Sequence, residues 1–138
     1  MKKMFVGLAL TILIGAAQAR SAVVLVEPER VVLVSGQPTL TPEMVRHAII
    51  RGGARHEWTV VNDQPGVLRL KYIKQGKHEV VVDVSYDTTG FQIRYVSSTN
   101  MKYESTNGVP MIHPFYNKWV TNLSLAISAE ASSFPVGK

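Results

Sequence analysis

The clearest pattern along the chain is a strict alternation at His78–Tyr86. Val80, Val82 and Val84 fall on one side of a pleat, and Glu79, Val81, Asp83 and Ser85 on the other, which is the two-residue period of a half-buried strand. Neighbouring stretches alternate in the same way. Trp58 and Val60 alternate with Thr59 and Val61, Leu68, Leu70 and Tyr72 with Arg69, Lys71 and Ile73, and Phe91, Ile93 and Tyr95 with Gln92, Arg94 and Val96. Asn62–Gly66, Gln75-Gly76 and Asp87–Gly90 supply turn residues between them. The pattern predicts four strands in an antiparallel meander. With the apolar sets on one face, parity places Val82 opposite Leu70 and Tyr95, and Asp83 between Arg69 and Arg94.

Two stretches switch to a helical period. Thr41 is a good N-cap, Pro42 suits the first helical position, Glu43 complements the helix dipole, and Leu40 can staple onto Val45. Met44, Val45, Ala48 and Ile49 form the apolar stripe, Gly52-Gly53 reads as the stop, and Arg46, His47 and Arg51 lie off the stripe as a solvated basic face. The second helix starts at Pro114. Tyr116, Trp119, Val120, Leu123 and Ile127 share one side, with Lys118, Thr121 and Asn122 opposite. Both apolar stripes should cover the Val80/Val82/Val84 face.

The expected fold is therefore α+β, a two-layer sandwich of a four-stranded antiparallel meander with two helices on one face and an N-terminal arm or edge strand. Residues 40–131 form the α-β-β-β-β-α domain, residues 20–39 the arm and residues 132–138 a flexible tail. Within the arm, Val23-Val24-Leu25-Val26 is repeated as Val31-Val32-Leu33-Val34. Its β-branched content favours extended chain, with an edge strand around Val31–Val34. An apolar exposed edge also invites pairing, so oligomerisation through Val23–Val34 is a second possibility.

Before the arm, Met1-Lys2-Lys3 is a basic start, Met4–Ala16 an apolar run and Ala17-Gln18-Ala19 a small-x-small cleavage site. Residues 1–19 read as a secretory signal peptide, the run being too short for a span. The expected compartment is the periplasm, with no transmembrane span in the mature chain. Removal of Lys2 and Lys3 lowers the formal charge of +5. The remaining scattered cations suit an anionic envelope component or an envelope protein rather than nucleic acid. At 138 residues, 46% hydrophobic and 18% charged, the chain has room for one globular domain. It has no cysteine, which excludes disulfides, a thiolate nucleophile, a Cys-based zinc site and lipid attachment at the cleavage point.

No phosphate loop, nucleophile elbow or His-Glu-x-x-His motif occurs. His47, His56, His78 and His113 are dispersed, and neither a metal nor a cofactor is expected. The alternating pattern fails over residues 97–111, where Asn107-Gly108 and Pro110 mark a long connection, the kind of segment that often carries binding function. Ser98, Asn100, Tyr103, His113, Tyr116 and Asn117 are the candidate ligand-binding residues, gathered where the last strand ends and a helix N-terminus favours an anionic group. Against this, His113 and Asn117 can satisfy the backbone of the connection, with Tyr116 and Trp119 in the core. A small metal-assisted hydrolase using His113 and neighbouring polar residues is the catalytic alternative. The Arg69, Asp83 and Arg94 cluster reads as cross-strand pairing, worth roughly 0.2–1 kcal/mol per pair.

Several motifs share a resemblance. Leu40-Thr41-Pro42-Glu43-Met44-Val45-Arg46-His47-Ala48-Ile49, Trp58 with Pro65-Gly66, Val82-Asp83-Val84-Ser85-Tyr86, Ile93-x-Tyr95-x-Ser97-Ser98-x-Asn100 and Ile112-His113-x-x-Tyr116-Asn117-x-Trp119-Val120 together resemble a family of small proteobacterial envelope proteins. Many of its members are described as lipoproteins. The resemblance covers most of Leu40–Ile127, and the Ile-His-x-x-Tyr-Asn-x-Trp segment is its most distinctive part. It implies the envelope compartment and directs interest to Asn100, His113, Tyr116 and Asn117, but implies no ligand, because the family has no established activity. The absence of a cysteine at the cleavage point departs from the lipoprotein members. The combined expectation is an exported, non-catalytic binding or envelope-assembly accessory protein.

Overall fold

Residues 21–33 and 40–134 are described by a computed structural model. The expected signal peptide (1–19), Arg20 and residues 34–39 of the arm, and residues 135–138 of the tail lie outside the described residues. The elements are β1 (Val23–Val24), β2 (Val31–Val32), α1 (Pro42–Arg55), β3 (Thr59–Gln64), β4 (Val67–Lys74), β5 (His78–Asp87), β6 (Gly90–Thr99), β7 (Glu104–Thr106), β8 (Val109–Ile112) and α2 (Phe115–Ser132). The described residues are α+β, with two helices and two antiparallel sheets. One sheet has five strands in the order β2-β6-β5-β4-β3, and the other has three in the order β1-β8-β7.

The register is the one parity requires. Val82 lies opposite Leu70 and Tyr95, and Asp83 opposite Arg69 and Arg94. The β5–β6 register shifts between Val81 and Val82, whose partners are Ser97 and Tyr95. Val96 is thus an extra residue, a bulge that brings Ser98 onto the same face as Tyr95. On that face Leu68, Leu70, Val80, Val82, Val84 and Ile93 are buried, and they form one core with Val45 and Ile49 of α1 and Tyr116, Val120, Leu123 and Ile127 of α2.

The single four-stranded sheet is corrected in two places. First, beside the edge strand expected near Val31–Val34, which is β2 on β6, the first half of the arm supplies another short strand, β1 on β8. Second, the connection after β6 contains a hairpin. Thr106 pairs with Val109 across Asn107 and Gly108, whose φ angles of 56° and 76° are both left-handed, as a two-residue type I′ turn requires.

The helix start is as expected, with Thr41 Oγ accepting the Met44 N–H at 3.2 Å and Pro42 at the first turn. The expected stop at Gly52-Gly53 is corrected, because α1 continues to Arg55. A Cβ on Gly52 would fall 2.6 Å from the Ile127 nitrogen and 2.7 Å from its Cα. The glycine therefore marks where α2 crosses α1 backbone to backbone. The actual end is a Schellman motif. Trp58 N–H donates to Gly53 O at 2.9 Å and Glu57 N–H to Ala54 O at 3.2 Å, with Glu57 left-handed at φ 64°.

Arg46 is likewise more than a solvated cation. Its guanidinium forks onto Asp63 of β3 and lies 3.8 Å from Glu43. The hydrogen bond from Arg46 holds the Asp63 carboxyl below the usual range. Asp87 is lowered too, chiefly by bonds from Thr89 and additionally by Arg30.

Two outcomes follow from this packing. On an open helix surface, Gly→Ala gains about 1 kcal/mol of helix propensity, but Gly52→Ala forces two backbones apart and should lose about 3 kcal/mol in denaturant unfolding. Asp63 and Asp87 have folded-state pKa values below their unfolded ones, so their stabilisation is complete above a carboxylate pKa of about 4 and is lost as pH falls through the folded values. Thermal melts should therefore show lower stability in acid, and Asp63→Asn should reduce that acid dependence.

Candidate functional site

The six candidate residues come together at the end of β6 and the start of α2, but mainly as a structural joint. Ser98 Oγ lies 2.8 Å from the Tyr95 hydroxyl, Tyr95 stacks on Tyr103 at 4.5 Å, and Tyr116 meets Tyr95 edge-on at 5.7 Å. Asn100 is left-handed at φ 57°, and its side-chain amide donates to Lys77 O at 2.9 Å. Its carbonyl accepts a 2.9 Å bond from His78 Nδ1, so the end of β6 is bound to the turn between β4 and β5.

His113 caps the second helix. Pro114 offers no side-chain cap, and His113 Nδ1 accepts the Phe115 N–H at 3.1 Å, while the His113 N–H donates to Met101 O at 2.7 Å. Asn117 grips the arm. Its Oδ1 accepts the Val26 N–H at 2.9 Å and its Nδ2 donates to Val24 O at 3.0 Å. Tyr116 is fully buried, its hydroxyl has no hydrogen-bond partner among the described residues, and burial raises its phenol well above the usual range. On the sheet, Arg69 forks onto Asp83 at 2.8 and 3.0 Å, whereas Arg94 donates to Gln92 Oε1 at 3.3 Å.

A cleft that pattern reading missed lies beside this joint. It has a volume of about 430 Å³ and opens between the end of α1, the end of β4 and the first turns of α2. An aromatic series forms its wall. Trp58 lies 5.5 Å from Tyr72, Tyr72 meets Trp119 edge-on at 4.9 Å, and Trp119 lies 5.9 Å from Phe115. The Lys74 ammonium is 5.1 Å from the Phe115 ring centre and 5.9 Å from that of Trp119. Arg55, Lys118 and His56 also line the cleft, with Glu57 the acidic member. Arg55 shares Glu130 at 3.7 Å.

The lining combines flat apolar faces with an excess of positive charge, a combination suited to a ligand with an anionic group and a ring or apolar face. Burial, with a smaller effect from Glu57, raises the Tyr72 phenol. Across Lys74, Phe115 and Trp119 a smaller hollow of about 150 Å³ continues toward His78, Met101 and His113, with the two imidazole centres 6.4 Å apart. Among the described residues, no group of three or more His, Asp or Glu is placed to hold a metal ion, and no helix is long and apolar enough to cross a membrane.

Sequence reasoning placed Trp58 and Tyr72 in a strand's apolar set and Trp119 in a helix stripe, so they looked like core. The available signal was the adjacent pair Lys118-Trp119, a cation beside a large aromatic ring, whereas Trp58 and Lys74 are brought to one cleft only by the fold. Comparison of the chain with protein-family models, curated proteins and solved structures finds no match in any of the three.

Tyr116 separates ligand contact from packing. Removing a buried hydroxyl that lacks a protein partner should not cost stability, so Tyr116→Phe is expected to unfold at equal or higher denaturant concentration, with a gain of about 1 kcal/mol.

Proposed function

We propose that the chain is an exported, non-catalytic binding module of the bacterial envelope, and that the Lys74 cleft takes an anionic ligand with a flat or apolar face. The observation that carries this reading is the Lys74 ammonium set against Phe115 and Trp119 in a cleft that also presents Arg55 and Lys118. A carboxylate or phosphate would meet these cations at the rim while its ring or chain covered the aromatic wall. The basic-apolar leader of residues 1–19 and the resemblance to small proteobacterial envelope proteins support the compartment. The non-catalytic reading is favoured because His113, the centre of the hydrolase alternative, uses Nδ1 to accept a backbone N–H at the helix start.

Both tryptophans of the chain line the cleft, so intrinsic fluorescence reports its occupancy directly. Titration with soluble peptidoglycan fragments, which carry carboxylates, and with phosphatidylglycerol vesicles, which carry phosphates, distinguishes two sources of the same chemistry. One of them should change the tryptophan emission in a salt-sensitive way, and Lys74→Ala should weaken that binding about tenfold, the loss of one charge-assisted contact. No emission change with either probe, or equal binding by Lys74→Ala, would refute the reading. Cell fractionation with mass spectrometry should find a chain starting at Arg20 in the periplasm.

A further inference from the structure

The arm docks twice by one rule. In its first half, Val23 and Val24 pair antiparallel with Ile112 and Met111, and the Leu25 N–H donates to Pro110 O at 2.9 Å. In its second half, Val31 and Val32 pair antiparallel with Phe91 and Gly90, and the Leu33 N–H donates to Thr89 O at 2.8 Å. The repeated Val-Val-Leu is thus a strand-donating unit that adds to an antiparallel edge through its backbone.

The two acceptor edges differ. At β6 the second unit gains edge pairing and partial packing, with Val31 and Leu33 half-buried against the core. At β8 the first unit enters a built groove, where Leu25 is 5% exposed and seated in the core. There the Asn117 carboxamide bonds both Val24 O and Val26 N–H, which is what an adjacent strand would do. Everything this groove reads is present in any copy of the chain. The outer surface of the bound segment is apolar, with Val24 and Val26 52% and 55% exposed.

We propose that the groove between β8 and the first turn of α2 is a receptor for an extended Val-Val-Leu-Val segment, and that its second occupant is the same segment of another copy, giving a dimer by reciprocal arm exchange. The pivot is Pro28-Glu29, and release of the arm also gives up the long 3.4 Å bond from the Tyr95 N–H to Glu27 Oε1. On its far side Arg30 is fixed to Asp87 at 2.7 Å and to Thr89 at 2.8 Å, and β2 stays on its own sheet. Exchange recreates the same groove contacts in trans, so little is lost in docking. Two arms crossing beside each other also cover the valines that one chain leaves in water. This pairing is independent of ligand binding in the Lys74 cleft.

The cysteine-free sequence permits a direct test on the full mature chain. Val24 and Met111 are register partners, at a spacing that a disulfide can bridge. Val24→Cys and Met111→Cys in one chain should oxidise to a locked, unexchanged arm that stays monomeric in light scattering at high protein concentration, while the wild type becomes dimeric. Val24→Cys in one chain and Met111→Cys in another should give a mixed disulfide dimer, and adding Leu25→Asp to the first should abolish it. Equal masses for locked and wild-type chains at every concentration would overturn the proposal. So would a wild type that remains monomeric while binding an added peptide of residues 21–27.

Discussion

The close crossing of the two helices sets the geometry of the molecule. Gly52 meets the backbone of Ile127 where any larger residue would intrude, and this lets α1 and α2 lie together over a single sheet face. The core residues they contribute, Val45 and Ile49 from one helix and Leu123 and Ile127 from the other, are fully buried only because the axes approach so closely. The same crossing sets the end of α1 against the later turns of α2, with Arg55 3.7 Å from Glu130, and leaves the first turns of α2 facing it across an open gap. The cleft lined by Trp58 and Trp119 lies between those two ends, so the aromatic wall depends on a residue that contributes no side chain to it.

Much of this fold was legible where side chains alternate over many residues. The pairing of Val82 with Leu70 and Tyr95, and the fork between Arg69 and Asp83, follow from parity once one face is assigned. The Thr41 cap was readable for a similar reason, since its signal lies within four consecutive residues. The arm was harder, because strands of two residues have no period and differ from loop only by what they pair with. The hairpin carried its turn signal at Asn107-Gly108, but its strands are short, β7 is exposed throughout and β8 is fully buried only at Ile112, so no apolar rhythm confirmed it. Gly52-Gly53 has two physical meanings, helix stop and close contact, and only the position of α2 decides between them.

The binding region shows a different kind of ambiguity. Asn100, His113 and Asn117 looked like ligand contacts because polar side chains in an irregular segment have no evident local partner. Their partners are backbone groups: Lys77 O for the Asn100 amide and Val24 O with Val26 N–H for Asn117, both far away in sequence, and the nearby Phe115 N–H for the His113 ring. Buried and half-buried backbone groups must be satisfied, and here side chains do so where three short strands meet a helix. The cleft was hidden for the opposite reason. Tyr72 and Trp119 obey the periodicity of core residues, yet both stand at the ends of their elements, where the packed layers run out and ring faces reach solvent.

The outermost strand of the large sheet has a further consequence. All six residues of β3 are exposed, and Val60 and Val61 present apolar side chains on an edge. A straight strand of this kind is a template for uncontrolled stacking of chains into fibrous aggregates. The register shift between Val60 and Asn62 breaks that template with a bulge, and the Arg46–Asp63 fork fastens the bent edge to α1. This ion pair therefore has a role beyond the modest free energy of an exposed charge contact, since it ties to the first helix an edge already bent by a bulge, a shape that offers a poor template for strand addition.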